Sequence, residues 1–222
     1  MPIKGMTYVD LLEKYKGNKD SISYNELLST KEWKLKRNEI LKRDSYVCQR
    51  CKKRKTEYFE IEKLESVLET KNQKQNWKIA GQERFKIEDI KPGEYWFISE
   101  ESFKKYDAYK GFKYLKTPSG FILIKADKEY ILNVHHKKYI LNILPWENYH
   151  TDYETYCTWC HLETHENEVI KCYNLINNRL ITVKLTPCQR CFGKGILPKY
   201  EHIENGICFR CLGKRFEELI EN

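Results

Sequence analysis

Four Cys-x-x-Cys pairs restrict what this chain can fold into more than any other feature. They hold eight of the nine cysteines: Cys48/Cys51, Cys157/Cys160, Cys188/Cys191 and Cys208/Cys211. Thiolates at this spacing are typical ligands of tetrahedral zinc, which takes four of them. The sequence therefore predicts two structural zinc ions. Disulfide pairing is the alternative, and Cys172 is left over as a small buried apolar residue.

The sequence has no segment typical of a membrane or secreted protein. No stretch approaches the roughly 20 apolar residues of a membrane span, and the opening MPIKGMTYVD has no apolar signal-peptide core. We therefore expect a cytoplasmic protein with no membrane partner. In that compartment, paired cysteines bind metal far more often than they form disulfides.

Histidines surround the second cysteine pair. His135 and His136 stand upstream of it, His161 follows Cys160 directly, and His165 comes four residues later. On a helix, an i, i+4 spacing places His161 and His165 on one face. Imidazoles converging near an open coordination position suit a metal that performs hydrolysis. In the alternative reading, all four histidines only complete zinc knuckles, although the cysteines already supply enough zinc ligands.

Composition and local patterns predict an α+β chain of small modules. With 222 residues, 41% of them hydrophobic, the chain can bury a core, while 32% charged residues favour two or three units over one. We expect helices from SYNELLSTKEWKLKRNEILKRD and EYFEIEKLESVLETKNQKQ, a hairpin turning at Pro118-Ser119-Gly120, and a strand ending at His135-His136. The predicted segments are basic helices with the first knuckle (1–55), an α+β insertion (56–130), the histidine motif (131–186) and a zinc ribbon (187–222).

The excess positive charge lies in the first quarter of the chain. Residues 1–55 contain 15 Lys and Arg against 7 Asp and Glu, so their net charge of +8 equals that of the whole chain. A solvated helix face is the simple explanation. The density of charge favours contact with a phosphate backbone instead, and DNA as the partner. The candidate DNA-binding residues are Lys34, Lys36, Arg37, Lys42 and Arg43.

Three motifs, taken together and in order, resemble a known family. They are WKLKRNEILKRDSYVCQRC, LNVHHKKY and DYETYCTWCHLETH. They are similar to the HNH endonucleases of the ββα-metal fold, in the subtype held together by a four-cysteine zinc. The resemblance covers about residues 20–55 and 131–170, and it implies an HNH core with an α+β insertion and a C-terminal zinc ribbon.

The resemblance implies a role for each histidine. His135, His161 and His165 would bind the catalytic metal, which would be Mg²⁺ or Mn²⁺, with Zn²⁺ and Ni²⁺ as alternatives. His136 would be the general base that deprotonates the attacking water. Asp152 stands where many members carry Asn and would fasten the loop that orients His136, with Asn148 as the fallback. These roles suit phosphodiester hydrolysis, which needs an activated water and a cation to neutralise phosphate charge.

The same resemblance implies that Cys48, Cys51, Cys157 and Cys160 bind one structural zinc. The chief departure from the family pattern is the 83 residues between Cys51 and His135. This insertion would either decorate the fold or recognise a target or partner, and the sequence favours neither.

The last two cysteine pairs predict the second zinc. Cys188, Cys191, Cys208 and Cys211 have a ribbon-like spacing, with 16 residues between the pairs. CQRCFGKG also resembles the repeat units of the DnaJ-type chaperone zinc region, but CFRCLGKR breaks that pattern at Arg215. A ribbon that grips nucleic acid is favoured over a purely structural cap.

The sequence thus predicts a metal-dependent HNH DNA endonuclease. The resemblance implies cleavage to 5′-phosphate and 3′-hydroxyl ends, one strand per motif. Double-strand cleavage would then need a homodimer, a larger nucleoprotein complex or two separate events. The rival function is a non-catalytic zinc protein that binds nucleic acid or acts as a scaffold.

Overall fold

The computed structural model describes residues 5–68, 90–195, 197, 200 and 207–220, and it has the mixed α+β character expected. The chain divides into two compact units, each built from separate segments. The first contains residues 1–43, 134–154 and 164–222; the second contains residues 44–133 and 155–163. The division passes through two strands and a helix that carry the histidine motif. Within the described ranges, no helix is long and apolar enough to cross a membrane.

Three helices open the first unit: α1 (Tyr8–Lys14), α2 (Tyr24–Ser29) and α3 (Lys31–Arg43). Thr7 and Ser23 are the N-caps of α1 and α2, and each forms a capping box. The cap side chain accepts a hydrogen bond from the backbone amide three residues later, and the side chain of that later residue accepts one from the backbone amide of the cap. The continuous helix expected from residue 23 to about 44 is instead two helices. Thr30 interrupts it with extended backbone (ψ 161°), and its hydroxyl accepts a hydrogen bond from the Trp33 amide.

A three-stranded sheet and the C-terminal cysteine segment complete the first unit. Strands β6 (Lys138–Ile140), β8 (Lys171–Ile176) and β9 (Arg179–Val183) lie in that order, with β6 parallel and β9 antiparallel to β8. The β8–β9 hairpin turns at Asn177 and Asn178, which both have positive φ. A bridge between Pro187 and Phe216 closes the C-terminal segment on itself.

The elements of the second unit before β5 are β1 (Glu57–Phe59), α4 (Ile61–Leu68), β2 (Gly93–Ser99), α5 (Glu100–Lys105), β3 (Tyr114–Lys116) and β4 (Phe121–Lys125). These four strands form an antiparallel sheet in the order β1-β2-β4-β3. The hairpin predicted at residues 118–120 joins β3 to β4. The expected helix at residues 57–75 is strand β1 followed by α4, and its residues 69–75 lie outside the described part.

The ends of the 56–130 segment meet. The Thr56 amide donates to the Tyr130 carbonyl at 3.0 Å, and the Tyr130 amide donates to the Thr56 hydroxyl at 2.9 Å. Between these ends, the sheet packs on a core of Phe59, Leu64, Tyr95 and Leu123. The segment is therefore pinned where it leaves and re-enters the rest of the second unit.

The predicted histidine strand and the helix after the second knuckle form a ββα motif. Strand β5 (Leu132–His136) pairs with β7 (Tyr153–Cys157), and helix α6 (Thr158–Asn167) follows β7 directly. The pairing is antiparallel, because Lys137 donates to the carbonyl of Asp152 at one end and Thr158 donates to that of Ile131 at the other. The pairing thus places the start of β5 beside the start of α6, and the end of β5 beside the start of β7.

Candidate metal centre and its surroundings

Three histidine side chains converge within the ββα motif. Helix α6 presents His161 and His165 on one face, and β5 presents His135, whose ring lies 5.1 Å from the His165 ring in an edge-on arrangement. One ligating nitrogen from each of His135, His161 and His165 lies within 4.8 Å of the other two. Three neutral imidazoles at this separation suit a divalent transition-metal ion and leave coordination positions open. The donor set therefore fits Mn²⁺, Zn²⁺ or Ni²⁺, three of the four metals that the sequence predicts, better than Mg²⁺, which prefers oxygen ligands.

His136 occupies a different environment from its neighbour. Adjacent residues of a strand point to opposite faces, and the His136 ring stacks on Trp33 with centroids 5.0 Å apart and an interplanar angle of 15°. Tyr24, Tyr139 and Tyr153 also contact it. His136 is only 5% exposed, so it is held in one orientation by an aromatic surround.

One backbone carbonyl fixes the tautomer of neutral His136. Its Nε2 atom lies 3.0 Å from the Pro145 oxygen, which can only accept a hydrogen bond. Nε2 must therefore carry the proton, so the lone pair of neutral His136 lies on Nδ1. This Nδ1 atom is 3.4 Å from the Tyr24 hydroxyl. The ring is thus oriented to accept a proton at Nδ1.

Asp152 fastens the chain next to His136. Its Oδ1 atom pairs with Lys138 Nζ at 3.0 Å, and its carbonyl accepts from the Lys137 amide at 2.8 Å. Asp152 is buried, and among the described residues its Oδ2 atom has no hydrogen-bond partner. Asn148 is also buried, and its Oδ1 atom is likewise without a hydrogen-bond partner in the described part of the chain.

The first two cysteine pairs meet in the second unit. Cys48, Cys51, Cys157 and Cys160 place their sulfur atoms within 4.8 Å of one another, and the Cys51 and Cys157 sulfurs are 3.7 Å apart. The Gln49 amide donates to the Thr155 carbonyl at 2.7 Å, so backbone also joins the knuckle to β7. This group could hold a zinc ion.

The last two pairs form a second group of the same kind. The sulfurs of Cys188, Cys191, Cys208 and Cys211 all lie within 4.8 Å of one another, and these residues are buried. Gly195 donates its amide to the Cys191 sulfur at 3.2 Å. None of the nine cysteines, all of which are described, forms a disulfide. This second group could also hold a zinc ion.

Burial makes Cys160 and Cys211 poor anions in the absence of a cation. Burial, together with the charges of neighbouring thiolates, raises the pKa of Cys160 to about 12. Burial likewise raises the pKa of Cys211 to about 12. Four thiolates in so small a volume repel one another, and a bound divalent cation removes that repulsion. The donor sets therefore fit a metal better than they fit free thiols.

The predicted DNA-binding residues all lie on α3, and two of them contact the loop before β7. Arg43 donates to the carbonyls of His150 and Tyr153, the second at 2.9 Å. Lys36 Nζ lies 3.4 Å from the His150 ring and 3.7 Å from a carboxylate oxygen of Glu39. Both side chains therefore brace the loop before β7.

One residue near His136 was missed in the sequence. Arg215 is 6% exposed, and its guanidinium lies over the rings of Tyr24 and Tyr139, which also contact His136. A charged residue in a knuckle is expected at the surface. The sequence signal was the Gly-to-Arg change that breaks the CQRCFGKG pattern.

Comparison of this chain with protein-family models, with curated proteins and with solved structures found no match.

Proposed function

We propose that this protein is a metal-dependent HNH-type endonuclease that hydrolyses phosphodiester bonds in DNA. One observation carries the proposal: a single ββα motif holds a three-imidazole cluster and, next along β5, a histidine oriented to accept a proton at Nδ1. Either feature alone has a structural explanation. The combination matches what hydrolysis of a phosphodiester requires, a cation site and a fixed base.

The metal would be held by His135, His161 and His165. When bound there, a divalent cation would neutralise charge on the phosphate and on the leaving oxygen. The chain's own contribution is the fixed position of the three nitrogens, since two come from one helix and the third from the paired strand. Zinc ions would occupy the two four-cysteine groups and hold the knuckles in place.

His136 acts as the general base in this proposal. Nδ1 takes the proton from the attacking water, while Nε2–H stays bonded to the Pro145 oxygen throughout. The stack on Trp33 prevents the ring from turning away as the proton moves. Asp152 and Lys138 act as positioning residues, because their ion pair anchors the backbone directly after His136.

DNA would approach along the basic helix α3. The basic side chains of this helix supply charge for phosphate contacts, and such contacts position the duplex without reading its sequence. With one motif per chain, the expected product from a monomer is a nicked duplex.

The burial of His136 is the observation that favours the rival function, a non-catalytic zinc protein. A base that is 5% exposed must be reached by water through the interior. A cavity of about 690 Å³ in the first unit supplies that route, since His136 is one of its lining residues.

A plasmid-nicking assay tests the proposal. The zinc-loaded protein should convert supercoiled plasmid to the open-circular form when Mg²⁺ or Mn²⁺ is added, and His161→Ala should require more metal for the same rate. The contrary result is a wild-type protein that binds DNA without nicking it in the presence of Mg²⁺, Mn²⁺, Zn²⁺ or Ni²⁺. That result would establish the rival function.

A further inference from the structure

The two knuckles of the C-terminal segment are an internal repeat that differs at one informative position. Cys188–Gly195 reads CQRCFGKG and Cys208–Arg215 reads CFRCLGKR, so Arg215 occupies the place of Gly195. Both residues have left-handed backbone, with φ +75° at Gly195 and +79° at Arg215. Glycine adopts this conformation without strain, whereas arginine does not. The second knuckle therefore tolerates a strained residue where glycine would fit, which points to a use for the arginine side chain.

The Arg215 side chain is buried without an anionic partner. Its Nε atom donates to the Gly193 carbonyl at 2.8 Å, and its guanidinium carbon lies 3.9 Å and 4.6 Å from the ring centroids of Tyr139 and Tyr24. No carboxylate of the described residues forms an ion pair with Arg215. A buried charge normally has an opposite charge beside it. The aromatic rings offset only part of that cost, so an anion would complete the site.

Arg215 lines the same cavity of about 690 Å³ as His136. Asn148 also lines it, and its buried Oδ1 atom has no hydrogen-bond partner among the described residues. Arg215 thus offers the cavity a cation, Asn148 offers it an acceptor, and the tyrosine rings offer it flat surfaces. A strand of nucleic acid carries a matching set, namely a phosphate anion, amino donors on its bases and flat rings.

We propose that Arg215 is a substrate-binding residue that holds a DNA phosphate in this cavity beside His136. The proposal rests on the nuclease function, to which it adds a contribution from the C-terminal segment. The guanidinium would bind the phosphate by paired hydrogen bonds, as arginine commonly does. The second zinc would then serve the active site, because Cys211 and Cys208 fix the knuckle that carries Arg215.

The test uses full-length, zinc-loaded Arg215→Gly, in which glycine restores the residue of the first knuckle and relieves the backbone. We expect the rate of metal-dependent nicking to fall by about 10²–10³-fold, the range for loss of one preorganised donor. Zinc content should stay at the wild-type value. Guanidinium ion, added below the concentration that unfolds the protein, should restore part of the rate, and Arg215→Lys should fall between the two. Arg210→Gln is the control, since it removes one charge from the same segment at an exposed ion pair with Glu217.

A binding measurement separates this proposal from the nuclease function. Titration with inorganic phosphate in the absence of added divalent metal should detect an anion site in the wild type that Arg215→Gly lacks, whether or not the protein cleaves DNA. If the protein does not cleave and this difference is still found, the nuclease function fails while the anion site stands. Two results would show that Arg215 is only a structural anchor. One is equal phosphate binding by both proteins. The other is absence of phosphate binding in both, together with a nicking defect that guanidinium does not rescue.

Discussion

Replacing His136 by glutamine isolates its proposed role as a base from its role in packing. The Nε2 atom of His136 donates to the Pro145 carbonyl at 3.0 Å, and a glutamine side chain can place its amide nitrogen near the same point. The variant therefore keeps the donor but has no basic nitrogen in place of Nδ1. Alanine would also empty the space against Trp33, which would mix the two roles.

The expected loss of activity is much larger than the expected loss of stability. General-base catalysis contributes about 10²–10⁴-fold, so kcat should fall by that factor, or about 3–5 kcal/mol in activation free energy. The main packing loss is the stack between His136 and Trp33, worth about 0.5–1.5 kcal/mol. For a chain of this length, that corresponds to a fall of about 1–6 °C in Tm.

Initial nicking rates at saturating Mg²⁺ or Mn²⁺ and thermal unfolding by circular dichroism measure the two quantities. His150→Gln is the matched control, because it makes the same substitution at an exposed imidazole in the loop before β7, and its rate should stay within a few-fold of the wild type. Wild-type nicking by His136→Gln, in a preparation free of contaminating nuclease, would refute the assignment of the base. So would an equal defect in His150→Gln.

Three further outcomes follow from the metal sites, the basic helix and the second unit. Metal analysis should find two zinc ions per chain at neutral pH. Zinc should dissociate as the pH falls, because the pKa of Cys160 and Cys211 is raised and protons then displace the metal. A zinc content near zero at pH 7 would contradict this. Neutralising Lys42, which is exposed, should lower the log-log salt slope of DNA binding by about 0.9, whereas neutralising Arg43, engaged with loop carbonyls, should lower it less. Unchanged slopes would place DNA elsewhere. Replacing residues 56–130 by a Gly/Ser linker should lower the zinc content by one ion per chain, and retention of both ions would show that the first knuckle does not need this segment.

Local signals predicted the elements well where the pattern itself is local. The turn at residues 118–120 and the i, i+4 histidines of α6 each depend on a few neighbouring residues. The break at Thr30 was missed because apolar positions continue across it, and only the hydroxyl contact with the Trp33 amide reveals the new helix. A cap at a helix junction is recognisable from sequence only when the break is already suspected.

Non-local packing decided what the sequence left open around the candidate site. The two-residue period of a strand predicts that His135 and His136 differ in facing, but not that Trp33 and three tyrosines enclose the second. The Pro145 carbonyl that fixes the tautomer comes from a loop with no pattern of its own. Arg215 was missed for a related reason, since its burial depends on Tyr24 and Tyr139, which lie far away along the chain.

The first knuckle and the segment after it depend on each other for structure within the second unit. The Arg54 carbonyl accepts from Trp96 Nε1 at 3.0 Å, and the Arg54 amide donates to the Tyr109 hydroxyl at 3.1 Å. Lys53 Nζ donates to the Tyr130 hydroxyl at 2.8 Å and lies over the rings of Trp96 and Phe112. Trp96 and Tyr109, two of the largest buried side chains of the segment, therefore contact residues just beyond Cys51. An independent domain would bury them on its own elements. Removing the segment would leave the Arg54 backbone without these two side-chain partners. We therefore expect the segment to support the zinc site, in addition to any part in recognising DNA.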